Sequence, residues 1–340
     1  MGRRKARTTI RTRMIFRHMA RATRSFDAFA DAFARITDSV EYVIQGKPDA
    51  VRLCVVALFA EGHVLIEDVP GVGKTMLAKA LARSLGCSFR RIQFTPDLLP
   101  TDITGVRVWA RQRGGVEFRP GPVFAQVVLG DEINRASPKT QAALLESMEE
   151  RQVTLDGHTY PLERPFMVVA TQNPIEHEGT YPLPEAELDR FLMRVRIGYP
   201  APEAEIDVLS IHGLPGRIDD LDAVASAASV RKLIDQAHEV HVADAIKGYI
   251  VDLLGATREH DHAYLGASPR AGLMLLRAAR VAAASDARAY VVPDDVKELA
   301  EPVLSHRIIP TPEAQLAGVS AESVVADAVS RTPVPKPARA

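Results

Sequence analysis

The chain has 340 residues, 46% of them hydrophobic, which is enough for two domains with sizeable cores. Its 42 basic and 43 acidic side chains nearly cancel, which argues against a nucleic-acid binder whose whole surface is basic. No apolar run is long enough to span a bilayer, and two widely separated cysteines, Cys54 and Cys87, fit reduced thiols of a cytoplasmic protein better than a disulfide framework.

In chain order, the first segment is a basic block. Residues 1–24 carry nine arginines and lysines, from Arg3 to Arg24, and no acid precedes Asp27. The block lacks an apolar core of the secretory type and reads as an unstructured extension, with Met14 and Met19 as alternative starts. The periodicity then predicts a helix over 50–61, a buried strand, and the stretch Asp68, Val69, Pro70, Gly71, Val72, Gly73, Lys74, Thr75 and Met76. A strand that runs into a glycine-rich turn ending in Lys-Thr is the anatomy of a phosphate cradle. Glycines at 71 and 73 let backbone N–H groups turn inward, and the helix predicted over 74–85 offers its positive end. Lys74 suits the β- and γ-phosphates, and Thr75 suits magnesium. The full phosphate-loop pattern asks for glycine where this chain has Asp68.

A strand over 88–94 follows, then an insertion with a hairpin-like stretch containing Arg107, Trp109, Arg111 and Arg113. These side chains suit gripping a protein segment or a nucleic acid, and Trp109 packing onto its own domain is an equal reading. Residues 123–132 form an apolar run that breaks into Asp131 and Glu132. At the carboxyl edge of a buried parallel strand, Asp131 suits magnesium and Glu132 suits the base that polarises a water. A second hairpin over 152–162 turns at Asp156 and Gly157, and the strand of 166–174 ends at Asn173, placed for the attacking water or the γ-phosphate. Beyond Pro200 helical spacing takes over, at 202–208, 228–240, 243–258, 269–284 and 293–306. Arg270 follows Ser-Pro at a helix start, where a cation is unfavourable unless an anion compensates it, and a phosphate is the preferred anion. The pairs His238 and His241, and His260 and His262 with Asp261, lack the further ligands of a metal site and read as solvent-exposed. The proline-rich end, 331–340, reads as a loose tail.

Five ordered motifs give the chain its resemblance. They are GluAspValProGlyValGlyLysThr at 67–75, GlyAspGluIleAsnArgAla at 130–136, AlaThrGlnAsnPro at 170–174, LeuProGluAlaGluLeuAspArgPhe at 183–191 and SerProArgAla at 268–271. Together they resemble the AAA+ ATPases and, within them, the MoxR family, from about residue 35 to 330. The resemblance implies an α/β fold with a parallel-sheet αβα domain over 25–200, followed by an α-helical lid over 201–330. It makes the insertion around Trp109 a helix-2 insert facing the centre of a ring, and the 152–162 hairpin a pre-sensor hairpin. Arg190 becomes an arginine finger acting on the neighbouring subunit, with Arg194 as the fallback, and Arg270 reaches the γ-phosphate from the lid. It further implies ATP and magnesium as ligands, a homo-oligomeric ring expected to be a hexamer, and chaperone-like maturation of client complexes. Metal-cofactor insertion and von Willebrand A domain partners belong to that picture. A DNA-dependent or chelatase-type motor and a nucleotide-binding scaffold without turnover are the competing readings.

Overall fold

The structure is a computed structural model and describes residues 26–110, 115–173, 179–199, 202 and 218–335. The basic block at 1–24, the arginines at 111 and 113, the helix expected over most of 202–208 and the last five residues lie outside that set.

Five parallel strands form the central sheet. In chain order they are β1 (Val64–Glu67), β2 (Phe89–Gln93), β5 (Val127–Asp131), β8 (Met167–Gln172) and β9 (Met193–Val195). They lie side by side as β2, β5, β8, β1, β9, so the phosphate-loop strand and the Asp131 strand flank β8. Each of the three inner strands is a run of buried apolar residues, as a sheet covered on both faces requires. Parallel pairing puts all five carboxyl ends on one edge, where Glu67 is level with Gln172 and Gln93 with Asp131. That edge is where open α/β sheets gather ligands.

Helices cover both faces. α1 (26–41) and α2 (Pro48–Phe59) precede β1, and the sequence reading had not singled out α1. α3 (Lys74–Ser84) follows the phosphate loop and α5 (Pro138–Glu150) follows β5, capped by Ser137 through the Thr140 N–H. Between β2 and β5 the insertion forms a short helix α4 (Pro100–Thr104) and the antiparallel hairpin β3 (Gly105–Ala110) and β4 (Gly115–Pro120). The second hairpin, β6 (Gln152–Leu155) and β7 (His158–Pro161), turns at Asp156 and Gly157, both at positive φ, as expected of a two-residue turn. Phe118 stacks on Tyr160 with centroids 4.0 Å apart, so the bases of the two hairpins pack together. Trp109 is 64% exposed, so its side chain is not packed onto its own domain.

After the four-residue helix α6 (Glu185–Leu188) and β9, the described chain is mainly helical: α7 (Ala227–His238), α8 (Asp244–Arg258), α9 (Pro269–Ser285), α10 (Pro293–Leu304), α11 (Pro312–Leu316) and α12 (Ala321–Arg331). A two-stranded pair, β10 (Ala263–Leu265) with β11 (Ile309–Pro310), accompanies them. One apolar cluster runs from Phe29 and Phe59 through Val64 and Met193 to Leu275, Leu299 and Val325. The helical region is therefore packed continuously against α2 and the sheet. No helix among the described residues is long and apolar enough to cross a membrane.

Candidate functional site

The phosphate loop is built from its own backbone demands. Gly71 and Gly73 have φ of 87° and 93°, and a Cβ on Gly71 would meet nothing, so glycine is there for conformation rather than close packing. Gly73 caps α3 in the left-handed region, which places Lys74 and Thr75 on the first turn. The Lys74 ammonium donates to the carbonyls of Asp68 and, at 3.5 Å, Gln172, which holds it across the ends of β1 and β8. Val72 and Met76 pack their partly buried side chains against the core behind the loop.

Asp68, the departure from the phosphate-loop pattern, has a structural task. Its buried carboxylate accepts from the N–H groups of Val69 at 2.8 Å, Ile197 at 2.7 Å and Gly198 at 2.5 Å. It thus ties the start of the loop to the chain leaving β9. Glycine could not make these bonds.

Beside the loop, the ends of β5 and β8 interlock. The Thr171 hydroxyl donates to Asp131 Oδ1 at 2.6 Å and accepts from the Glu132 N–H at 2.9 Å. Glu132 takes φ 57°, the left-handed bend that lifts its side chain off the strand. Its Oε2 accepts from Gln93 at 2.8 Å and from Arg135 at 3.0 Å. Arg91 donates to Asp131 Oδ2 through Nε at 3.0 Å and Nη2 at 2.5 Å. Asn173 is buried one residue past β8. The structure therefore brings Asp68 through Met76, Asp131, Glu132 and Asn173 to one sheet edge. Asp131 attracts a cation here, Arg91, and the donor set of a hydroxyl and a carboxylate beside a lysine suits magnesium with a phosphate chain.

The two arginines go elsewhere. Leu192 N–H bonds the His63 carbonyl, so Arg190, two residues earlier, is delivered to the amino end of β1. Its Nε donates to Glu149 Oε2 at 2.9 Å, and Arg270 Nη1 donates to Glu149 Oε1, also at 2.9 Å. Four residues of β1, roughly 13 Å at strand rise, separate that end from the phosphate loop. Arg270, expected to reach a γ-phosphate from the helical region, is held here by Glu149 at the opposite end of β1 from its own chain's phosphate loop. The anion demanded at the start of α9 is present, but it is Glu149 at the end of α5. Arg194, the fallback finger, is committed to Glu67 at 3.1 Å and Glu322 at 2.6 Å and joins the sheet to α12. Asp189 pairs with the buried Arg307 at 2.6 Å rather than with Arg190.

Around Glu149 lies a cleft of about 280 Å³ lined by Glu61, His63, Arg151, Arg190, Arg270 and Arg277, among others. Sequence reasoning missed all of these except Arg190 and Arg270. Glu61, at the end of α2, accepts from Arg151 and Arg164, both at 2.7 Å. Burial would raise its carboxyl pKa, but the two guanidiniums outweigh burial and hold it below the usual value. His260 also departs from its reading, with a ring only 7% exposed and paired to Asp327 at 2.9 Å. No group of three or more potential metal ligands occurs among the described histidines, cysteines and acids.

Residues 63–193 match the ATPase family associated with various cellular activities (AAA), and residues 255–328 match the AAA lid domain. The crystal structure of a candidate ATPase from Cytophaga hutchinsonii superposes with a TM-score of 0.87 at 36% identity, covering 95% of this chain and all of that one. YeaC of Bacillus subtilis is 50% identical over 88% of this chain and 94% of its own. Chaperone MoxR1 of Mycobacterium tuberculosis is 42% identical over 84% of this chain and 78% of its own, and Protein MoxR of Methylorubrum extorquens is 32% identical over 83% and 89%. With relatives of that name at 32–42% identity over most of its length and an AAA domain model matched over residues 63–193, the chain belongs to the MoxR family of AAA+ ATPases.

Proposed function

We propose that this chain is one subunit of a homo-oligomeric ring, a hexamer, that hydrolyses ATP at sites shared between neighbouring copies and uses the motion to remodel a client protein. The observation that carries the reading is the separation of Arg190 and Arg270 from the phosphate loop along β1. A single chain holds one half of a hydrolytic site at each end of its sheet, so a complete site takes two chains. In this arrangement Lys74 and the loop N–H groups bind the phosphate chain. Thr75 and Asp131 would hold magnesium, which supplies positive charge against the phosphate oxygens. Glu132 takes a proton from the attacking water, Asn173 orients that water, and Arg190 and Arg270 of the next copy meet the charge that develops on the phosphoryl oxygens.

The chaperone name of the Mycobacterium relative supports a protein client. So does the insert, whose exposed Trp109 and Val116 are surplus to nucleotide chemistry. A von Willebrand A domain protein is the expected partner, metal-cofactor insertion the expected kind of maturation, and the cytoplasm the expected location. The test pairs Lys74→Ala with Glu132→Gln. The first should lose tight ATP binding; the second should bind ATP, release little phosphate and retain a client in ATP-dependent pull-downs. Phosphate release by Glu132→Gln at the wild-type rate would remove it as the base. Strong stimulation by DNA with no ATP-dependent protein partner would replace the chaperone reading with a nucleic-acid motor.

A further inference from the structure

The cleft at the amino end of β1 holds more positive charge than the two arginines account for. Glu61 is saturated by Arg151 and Arg164, and its second oxygen faces His238 at 3.5 Å. Glu149 is shared by Arg190 and Arg270. Arg277 lines the same cleft, partly buried, and makes no hydrogen bond or ion pair among the described residues. It stands seven residues after Arg270 on α9, two helical turns along the same face. Burial, then the nearby charge of Arg151 and that of Arg270, make its protonated form less favourable than usual, with Glu61 opposing. A partly buried guanidinium among other cations, with no anion of its own, is less favourable than a paired one.

We propose that Arg277 is a third arginine of the shared site and binds the phosphate chain of the nucleotide held by the neighbouring copy. This rests on the reading that Arg190 and Arg270 serve that neighbour. Arg190 and Arg270 already share the single carboxylate of Glu149 and Arg277 is paired with none among the described residues, so the cleft can take several negative charges at once. A triphosphate brings them, whereas one acidic side chain of the neighbour would leave the cleft positive. The planar five-donor fork suits phosphate oxygens, and lysine in its place would keep charge but not the fork.

The test uses mixed assemblies of full-length chains. Lys74→Ala chains supply only the arginine face, and Arg190→Ala chains supply only the phosphate loop, so their mixture should recover turnover. Arg277→Gln is then added to one partner at a time. In the Lys74→Ala partner it should raise the KM for ATP about tenfold or more, the effect of losing a charged hydrogen bond. In the Arg190→Ala partner, whose arginine face is already disabled, it should add no further loss. Arg277→Lys in the Lys74→Ala partner should recover part of the affinity. Equal effects in both partners, or none in either, would overturn the role of Arg277 while leaving the shared site standing. Weakened assembly, with the remaining mixed assemblies keeping the parent KM, would make the anion a protein carboxylate instead. Failure of the parent mixture to recover turnover, with assembly confirmed, would overturn the shared site and Arg277 with it.

Discussion

His63 makes the fold sensitive to acid in a calculable way. It is buried at the start of β1, with Nδ1 accepting from the Val168 N–H at 2.9 Å, which leaves the proton on Nε2, bonded to the Met148 carbonyl at 3.1 Å. Burial pushes its pKa down, the Met148 bond opposes, the charges of Arg151 and Arg270 add to the fall, and the result is about 4 against an ordinary 6.5. Because the folded value is depressed, the stability contributed by neutral His63 is fully present above about pH 6.5. It is lost progressively as pH falls, until the folded state also protonates near pH 4. At about 1.4 kcal/mol per pH unit the loss amounts to about 3 kcal/mol, a large part of the stability of an ordinary domain. His63→Gln keeps an acceptor for Val168 and a donor for Met148 but does not titrate. Urea unfolding of both proteins between pH 7 and pH 4 should show the wild type losing about 3 kcal/mol more than the variant. His306, buried and depressed in the same direction, contributes equally to both curves. Parallel curves would refute the assignment of His63 as a buried neutral histidine.

Two further substitutions follow from the geometry. Asp68→Gly would restore the phosphate-loop pattern yet remove three hydrogen bonds to a buried carboxylate, so it should destabilise by about 3 kcal/mol or more in urea unfolding; unchanged stability would contradict the bracing role. Trp109→Ala should change stability by no more than about 0.5 kcal/mol and leave ATP turnover intact, while abolishing ATP-dependent client capture by a Glu132→Gln ring; full capture would remove the insert tip from client binding.

What the sequence revealed and what it hid divide along a physical line. The phosphate loop and the Asp131–Glu132 pair were legible because each is written in consecutive residues: an apolar strand, then a turn or carboxylates where that strand must end. The location of Arg270 was not, because it depends on how α9 packs beside the end of α5, a contact between residues 121 positions apart. Glu149 was invisible for the same reason, as one acid in an ordinary helical pattern. Local reasoning did find that Arg270 needs an anion, and only tertiary structure could name it. Asp68 was legible only as a departure from the phosphate-loop pattern, because its partners, Ile197 and Gly198, lie some 130 positions further on. Arg307, now the buried partner of Asp189, gave no signal beyond being an arginine near a helix end.

The central claim, that the hydrolytic site is divided between two copies, is tested most directly by mixing Arg270→Ala with Lys74→Ala. Each chain alone should be inactive. If Arg270 serves the neighbouring nucleotide, the Arg270→Ala chain contributes an intact phosphate loop and the Lys74→Ala chain contributes an intact arginine face, so mixed assemblies should turn over ATP. If Arg270 instead serves the nucleotide of its own chain, every site in the mixture lacks either Arg270 or Lys74. Turnover no higher than that of the separate variants, in assemblies shown to contain both chains, would contradict the divided site.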